Sequence, residues 1–137
     1  MLEKTVDRSK NRTNKARGSA FERKVARELA ADGYVVVRAA GSLGATDLVA
    51  IKTGQVLFVQ CKMSGAGACG PAEWNEFLRI AERVSALPIL AYRPGRQGVA
   101  YWLVTGPKER PTKTPPATVW TPDEIVEEAQ LAVEAAA

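Results

Sequence analysis

The sequence predicts an α/β domain, a mixed β-sheet of about five strands flanked by helices. Amphipathic helical stripes and short β-branched runs alternate along the chain in the order α-β-β-β-α-β-β-α. A tight glycine turn separates the second run from the third, which predicts a hairpin. The 137 residues are 46% hydrophobic and 25% charged, the balance of one globular domain with a core.

The first predicted helix opens with a capping box. Ser19 and Glu22 have the required spacing, in which the serine caps the first turn and the glutamate reaches back to it. Asp32-Gly33 is expected to end the helix. An apolar side chain recurs every fourth position to form the stripe that faces the core: Phe21, Val25 and Leu29.

Residues 1–17 lack apolar periodicity and are rich in Lys, Arg, Asn and Thr. We therefore expect a flexible basic arm ahead of a single domain at 18–137. All 19 basic residues but only ten of the 15 acids lie in residues 1–120, a net charge of +9 for that part. This charge favours a polyanionic partner such as nucleic acid, although a merely solvated surface could carry the same charge.

Three strands are predicted after the first helix, at 34–38, 46–51 and 55–62. The turn at 52–54 joins the last two as a hairpin. The β-branched and apolar residues of these runs indicate a buried sheet.

A loop rich in glycine and alanine at 63–70 leads to a second helix that begins at Pro71. Two further strands are predicted at 88–93 and 99–104. The apolar stripe of the second helix is Trp74, Phe77, Leu78, Ala81 and Val84.

Four prolines predict an extended segment at 105–120, and the sequence Thr-Pro-Asp-Glu begins a last helix at 121–137. No apolar run reaches the ~20 residues of a membrane helix, and the N-terminus has no apolar signal region. We expect a cytoplasmic protein with no membrane partner.

The absence of histidine narrows the possible chemistry. It excludes serine and cysteine triads with histidine, His-ligated zinc and histidine general bases. Cys61 and Cys69 cannot close a zinc site unaided, and we expect both to be free thiols. Carboxylates, Lys, Ser, Tyr or a hard metal ion must carry any reaction.

One group of side chains suits such a metal ion. Gln60 and Lys62 share a face of the third strand, and the hairpin pairs Asp47 close to them. Glu22 reaches the same place if its helix packs on the sheet. Their oxygens, with the Cys61 carbonyl, are ligands of the kind that Mg²⁺ prefers, and Lys62 could orient an attacking water. Glu22 could instead be only a cap partner, and Asp47 only a turn residue.

A series of motifs resembles the PD-(D/E)xK nuclease superfamily and, within it, the archaeal-type Holliday junction resolvases. The resemblance covers about residues 17–104. It implies a restriction-endonuclease-like fold and a homodimer that cuts four-way DNA junctions symmetrically with Mg²⁺ or Mn²⁺, without a small-molecule cofactor. The host would be a prokaryotic or a virus-infected cell. The motifs are Ser19-x-x-Glu22, Val37-Arg38-x-x-Gly41-Ser42, Thr46-Asp47-Leu48-Val49-Ala50 and Phe58-Val59-Gln60-Cys61-Lys62.

The resemblance also implies roles for individual residues. The metal ligands would be Glu22, Asp47 and Gln60, and Lys62 would be the catalytic lysine. Ser42 would lie near the scissile phosphate. Arg23 and Arg38 would match basic positions that contact DNA or support the site. Lys15 and Arg17 are expected to contact DNA for a different reason, because they belong to the basic arm of a positively charged chain.

Gln60 departs from the family pattern, which usually has Glu at this place. The change removes one negative charge from the metal site, so we expect weaker Mg²⁺ affinity. Three interpretations stay open: an active junction resolvase, a junction-binding protein whose chemistry Gln60 has switched off, and a nuclease of the same fold that acts on other branched DNA.

Overall fold

The computed structural model describes residues 8–65, 68–96 and 98–109 and six residues between 124 and 135, with side chains from Lys15 onward. The predicted fold class is confirmed. The elements, in chain order, are α1 (Arg8–Ala31), β1 (Val35–Arg38), β2 (Leu48–Lys52), β3 (Gln55–Lys62), α2 (Pro71–Arg83), β4 (Leu87–Tyr92) and β5 (Ala100–Leu103).

The five strands form one mixed sheet in the order β1-β2-β3-β4-β5. Among these strand pairs, β3 and β4 are parallel and joined by α2, while the others are antiparallel. The predicted hairpin is present, with Lys52 opposite Gln55 and Leu48 opposite Val59. Just beyond the last pair, the Asp47 N–H also donates to the Val59 carbonyl at 2.9 Å, which places Asp47 beside the end of β3.

A hydrophobic layer covers each face of the sheet, because successive residues of β3 point to opposite faces. Leu57 and Val59 pack with the α1 stripe, whereas Phe58 packs with Trp74 and Phe77 of α2. Each such fully buried side chain stabilises the fold by roughly 1.5–3 kcal/mol. By the same alternation, Gln60 and Lys62 lie on the α2 face.

The start of α1 was predicted wrongly. The helix begins at Arg8, so Ser19 lies inside it and the capping box is not formed. Residues 8–17 are helical rather than a flexible arm, while residues 1–7 lie outside the described part of the chain. Lysine and arginine are good helix formers, and they extend α1 ahead of its apolar stripe without leaving a hydrophobic signal.

The second helix agrees with its prediction except at Val84. Four of the five predicted stripe residues are buried, but α2 ends at Arg83 and Val84 is 58% exposed. The backbone leaves the helix at Val84, and Ser85 has a φ of 56°, so the Val84 side chain turns away from the stripe.

The C-terminal predictions are described only in part. Residues 105–109 form no helix or strand, as expected of the extended segment, whereas 110–123 lie outside the description. Within the last predicted helix, the residues described are helical: Glu124, Glu127, Gln130, Leu131, Glu134 and Ala135. Among the described residues, no helix combines the length and apolar character needed to cross a membrane.

Candidate active site

Asp47 lies just before β2, where the hairpin opens. Its Oδ2 accepts a hydrogen bond from the Cys61 N–H at 2.7 Å. Burial raises the pKa of Asp47; the Cys61 N–H and Lys62 lower it, while the carboxylates of Glu22 and Glu73 raise it further. Asp47 thus lies near enough to one carboxylate of α1 and one of α2 for their charges to act on it.

The Cys61 backbone faces the same place. In a strand, the N–H and C=O of one residue point to the same edge. Because the Cys61 N–H points to Asp47, the Cys61 carbonyl faces the side of β3 that carries Asp47. This orientation supports the predicted use of that carbonyl as a ligand.

Glu22 lies on the exposed side of α1 and pairs with Arg38. Its Oε1 lies 3.6 Å from the Arg38 Nη2, and the Arg38 side chain is about half exposed. Such an exposed pair adds little stability, so its main effect is to hold a cation beside the carboxylates. Arg38 thus contacts a predicted site residue.

Gln60 is buried, with both ends of its amide engaged. Its Oε1 accepts a hydrogen bond from the Cys69 thiol at 3.2 Å. Its Nε2 donates to Oε1 of Glu73. The Oε1 atom has a second lone pair, but the side chain is only 1% exposed, so the oxygen is shielded from an ion that approaches from solvent.

Glu73 was missed by the sequence analysis. It lies in the first turn of α2, where the helix dipole favours a negative charge. Its Oε1 lies 2.6 Å from the Lys62 Nζ. The signal that could have found it is topological, because a helix that crosses from β3 to a parallel β4 begins near the end of β3.

The donor set has the chemistry of a site for a hard divalent ion. Among the described residues, no three His, Cys, Asp or Glu side chains lie close enough together to hold a metal alone. Mg²⁺, however, commonly uses one or two carboxylates and keeps several waters. Asp47 with one nearby carboxylate meets that need, and a bound cation would offset the burial and the like charges that raise the Asp47 pKa. The residues present therefore fit such an ion.

Ser42 lies in the turn between β1 and β2. Its side chain is exposed, and its N–H closes the turn by donating to the Ala39 carbonyl at 2.9 Å. Positive φ values at Ala40 and Gly41 shape this turn. The role expected of Ser42 near a phosphate stays a prediction.

A basic groove of about 390 Å³ lies between α1 and the ends of β3 and β4. Of the predicted DNA contacts, Arg17 lines it, whereas Lys15 and Arg23 are exposed on α1 outside its lining. The sequence analysis did not single out three other cations, which the fold brings together here. The basic side chains that line the groove are Arg17, Lys24, Arg27 and Arg93.

A second layer of contacts supports the loop that carries Cys69. The buried Lys108 Nζ donates to the Cys69 carbonyl at 2.8 Å and lies 5.1 Å from the centre of the Trp74 ring. Asn75 fixes the Lys108 backbone at both ends, donating to its carbonyl at 2.9 Å and accepting from its N–H at 2.8 Å. The segment after β5 is thereby tied to α2 and to the loop beside Gln60.

Comparison with known proteins agrees with this geometry. The family model for archaeal Holliday junction resolvases (Hjc) matches residues 13–115. The chain belongs to this family. The match includes every predicted site residue, from Lys15 to Lys62, as well as Glu73 and the groove residues.

Two relatives show how far the likeness extends. The chain is 48% identical over 48 residues to the crossover junction endodeoxyribonuclease Hjc of Methanocaldococcus jannaschii, an alignment that spans 35% of each protein. It also resembles the solved structure of Archaeoglobus fulgidus Hjc, a Holliday junction resolvase, with a TM-score of 0.55 and 22% identity over 64% of this chain and 72% of that one. At this identity the second likeness concerns the fold, which it confirms.

Proposed function

We propose that this protein is a metal-dependent endodeoxyribonuclease that resolves four-way DNA junctions by cutting two strands symmetrically. The observation that carries the proposal is the group of side chains at the end of β3, where the Cys61 N–H holds the Asp47 carboxylate and Glu73 contacts Lys62. Membership of the Holliday junction resolvase family supports this substrate. We also infer that the protein acts in the cytoplasm.

Different side chains of the site would have different roles in phosphodiester hydrolysis. Asp47 and a neighbouring carboxylate would hold Mg²⁺ or Mn²⁺ beside the Cys61 carbonyl. When bound, the ion lowers the pKa of a water and offsets the charge that develops on the phosphate. Lys62 places an ammonium at the same sheet end, where it can orient the attacking water or stabilise the phosphate oxygens. Ser42 would approach the phosphate from the turn after β1.

DNA phosphates are expected to follow the basic groove. Its cations come from one face of α1 and from Arg93, and within the described residues the buried Arg93 Nε has no hydrogen-bond partner. Phosphate oxygens would supply one. Replacing both Lys24 and Arg27 by Ala should weaken junction binding and reduce the salt slope by about two. The same double change at the exposed α2 residues Arg79 and Arg83 is the control and should leave the slope unchanged.

We further infer a homodimer, because paired cuts on a two-fold symmetric junction need two active sites. The apolar stripe of α2 is mostly buried in the core and is therefore not available as an interface. Val35, Val37 and Ile51 instead expose an apolar surface on the α2 side of the sheet, at its β1 edge. A second copy is its expected occupant. Sedimentation should show a dimer at micromolar concentration and a monomer after Val37→Glu.

A cleavage assay on an immobile four-way junction tests the activity. Paired, symmetric nicks are expected with Mg²⁺ or Mn²⁺ and none with EDTA, with linear duplex of equal length as the substrate control. Asp47→Asn should bind the junction without cutting it. Preferential cutting of flaps or forks would replace the proposed substrate by another branched DNA.

A non-catalytic junction-binding protein is the second candidate. The observation that favours it is Gln60, an uncharged residue whose amide is engaged at both ends. This candidate predicts tight, salt-dependent junction binding with no cuts in either metal. Metal-dependent nicks that disappear in Asp47→Asn would exclude it.

A further inference from the structure

We propose that Glu73 is a catalytic-site carboxylate, which with Asp47 holds the divalent ion and at the same time positions Lys62. This inference rests on the proposed function and deepens it, because α2 then supplies a charge that β3 lacks at Gln60.

The Gln60 amide can lie in one orientation only. A thiol at Cys69 donates to one end of the amide, and a carboxylate at Glu73 can only accept from the other. The amide nitrogen must therefore face Glu73. Position 60 thus presents a donor, rather than a metal ligand, to the carboxylate of α2.

Glu73 is placed to take the ligand role that Gln60 does not fill. Its contacts with Gln60 and Lys62 both use Oε1, which leaves Oε2 outside those two contacts. The side chain is 40% exposed, so an ion and its waters can reach it from solvent. Two donors holding Oε1 also fix the carboxylate before an ion arrives, which lowers the entropic cost of binding.

Both carboxylates lie at the end of β3. Asp47 accepts from the Cys61 N–H, and Glu73 contacts the side chains of Gln60 and Lys62 on either side of Cys61. Lys62, the nearest cation to Glu73, balances part of their charge. A divalent ion between the two carboxylates would offset the remainder and free Lys62 to interact with phosphate.

Mn²⁺ affinity measured without any cleavage reaction tests the inference. Mn²⁺ is titrated into the wild-type protein, alone and bound to a phosphorothioate junction, and followed by calorimetry and by the fluorescence of the neighbouring Trp74. Glu73→Gln should lower Mn²⁺ affinity at least about tenfold. Losing even a residue that only supports a metal ligand typically costs about that much, so losing a ligand should cost no less. Glu76→Gln, an exposed carboxylate one turn later in α2, is the matched control and should change it less than about twofold.

A charge-swap variant separates ligation from structure. Gln60→Glu combined with Glu73→Gln exchanges the amide and the carboxylate, so an amide donor still faces a carboxylate. This double variant should regain most of the Mn²⁺ affinity that Glu73→Gln alone loses. Unchanged Mn²⁺ affinity in a folded Glu73→Gln, checked by circular dichroism, would overturn the inference. So would a wild-type protein that binds no Mn²⁺ in either state.

Parallel cleavage assays distinguish this inference from the proposed function. If the wild type cuts junctions and Glu73→Gln keeps both its cutting and its Mn²⁺ affinity, the inference fails and the function stands. If Glu73→Gln loses Mn²⁺ affinity but the wild type never cuts a junction, the function fails and the ion site stands.

Discussion

Replacing Gln60 by Glu should destabilise the metal-free protein in a pH-dependent way. The change places a second carboxyl group in contact with Glu73, at a position that is only 1% exposed. The new group cannot be hydrated there, and two carboxylates cannot share the contact. It therefore keeps its proton, which lets its O–H replace the amide N–H as the donor to Glu73.

The size of the effect follows from the cost of that proton. A carboxyl group with an ordinary pKa near 4.3 costs about 1.4 kcal/mol per pH unit to keep protonated above that value, or nearly 4 kcal/mol at pH 7. Lys62, 2.6 Å from Glu73, lowers this cost by attracting the ionised form. We expect a loss of about 2–4 kcal/mol at pH 7. The new carboxyl group has a higher pKa in the folded protein than in the unfolded chain. The variant should therefore keep its stability below about pH 4.3 and lose stability as the pH rises above that value.

Urea denaturation of wild type and variant in EDTA, at pH 4.5 and at pH 7, measures the difference. The two proteins should have nearly equal stability at pH 4.5 and differ by 2–4 kcal/mol at pH 7. The loss should shrink when the substitution is made in the Glu73→Gln background, which removes the second carboxylate. An equal loss at both pH values would refute the reasoning, because it would indicate a packing defect rather than a buried charge.

Three further changes probe the same region. Asn75→Ala should lower the free energy of unfolding by about 2 kcal/mol in urea denaturation, because two hydrogen bonds to the Lys108 backbone are lost. It should also speed hydrogen exchange at the Lys108 amide. Unchanged exchange would contradict a role of Asn75 in holding this backbone. Lys62→Ala should abolish junction cleavage while keeping junction binding, and retained cutting would remove its assigned role. In the folded protein at pH 8, iodoacetamide should leave Cys61 and Cys69 unmodified, because burial raises the pKa of both thiols, that of Cys69 to about 11. In urea both thiols should react. Rapid labelling of the folded protein would contradict their burial.

The sheet could be predicted because its signals are local. The hairpin follows from one glycine turn, and its register brings Asp47 to the end of β3 without knowledge of any distant contact. The start of α1 could not be predicted in the same way. Ser19 and Glu22 satisfy a capping pattern, yet the basic residues before them continue the helix, and Glu22 pairs with Arg38 instead. A capping box marks where a helix could begin, and tertiary structure decides whether it does.

The partners of Gln60 show the limit of reading a site from its motif. The family motif usually has Glu at position 60, so Gln60 indicates that the metal site has lost one negative charge. An inactivated protein is therefore one interpretation of the motif. The fold adds a thiol donor from the loop before α2 and a carboxylate acceptor from the first turn of α2. An amide satisfies both groups, whereas an ionised Glu could accept from Cys69 but would repel Glu73. Gln60, Cys69 and Glu73 are thus consistent as a set, which agrees with a site whose second carboxylate comes from α2 rather than from β3.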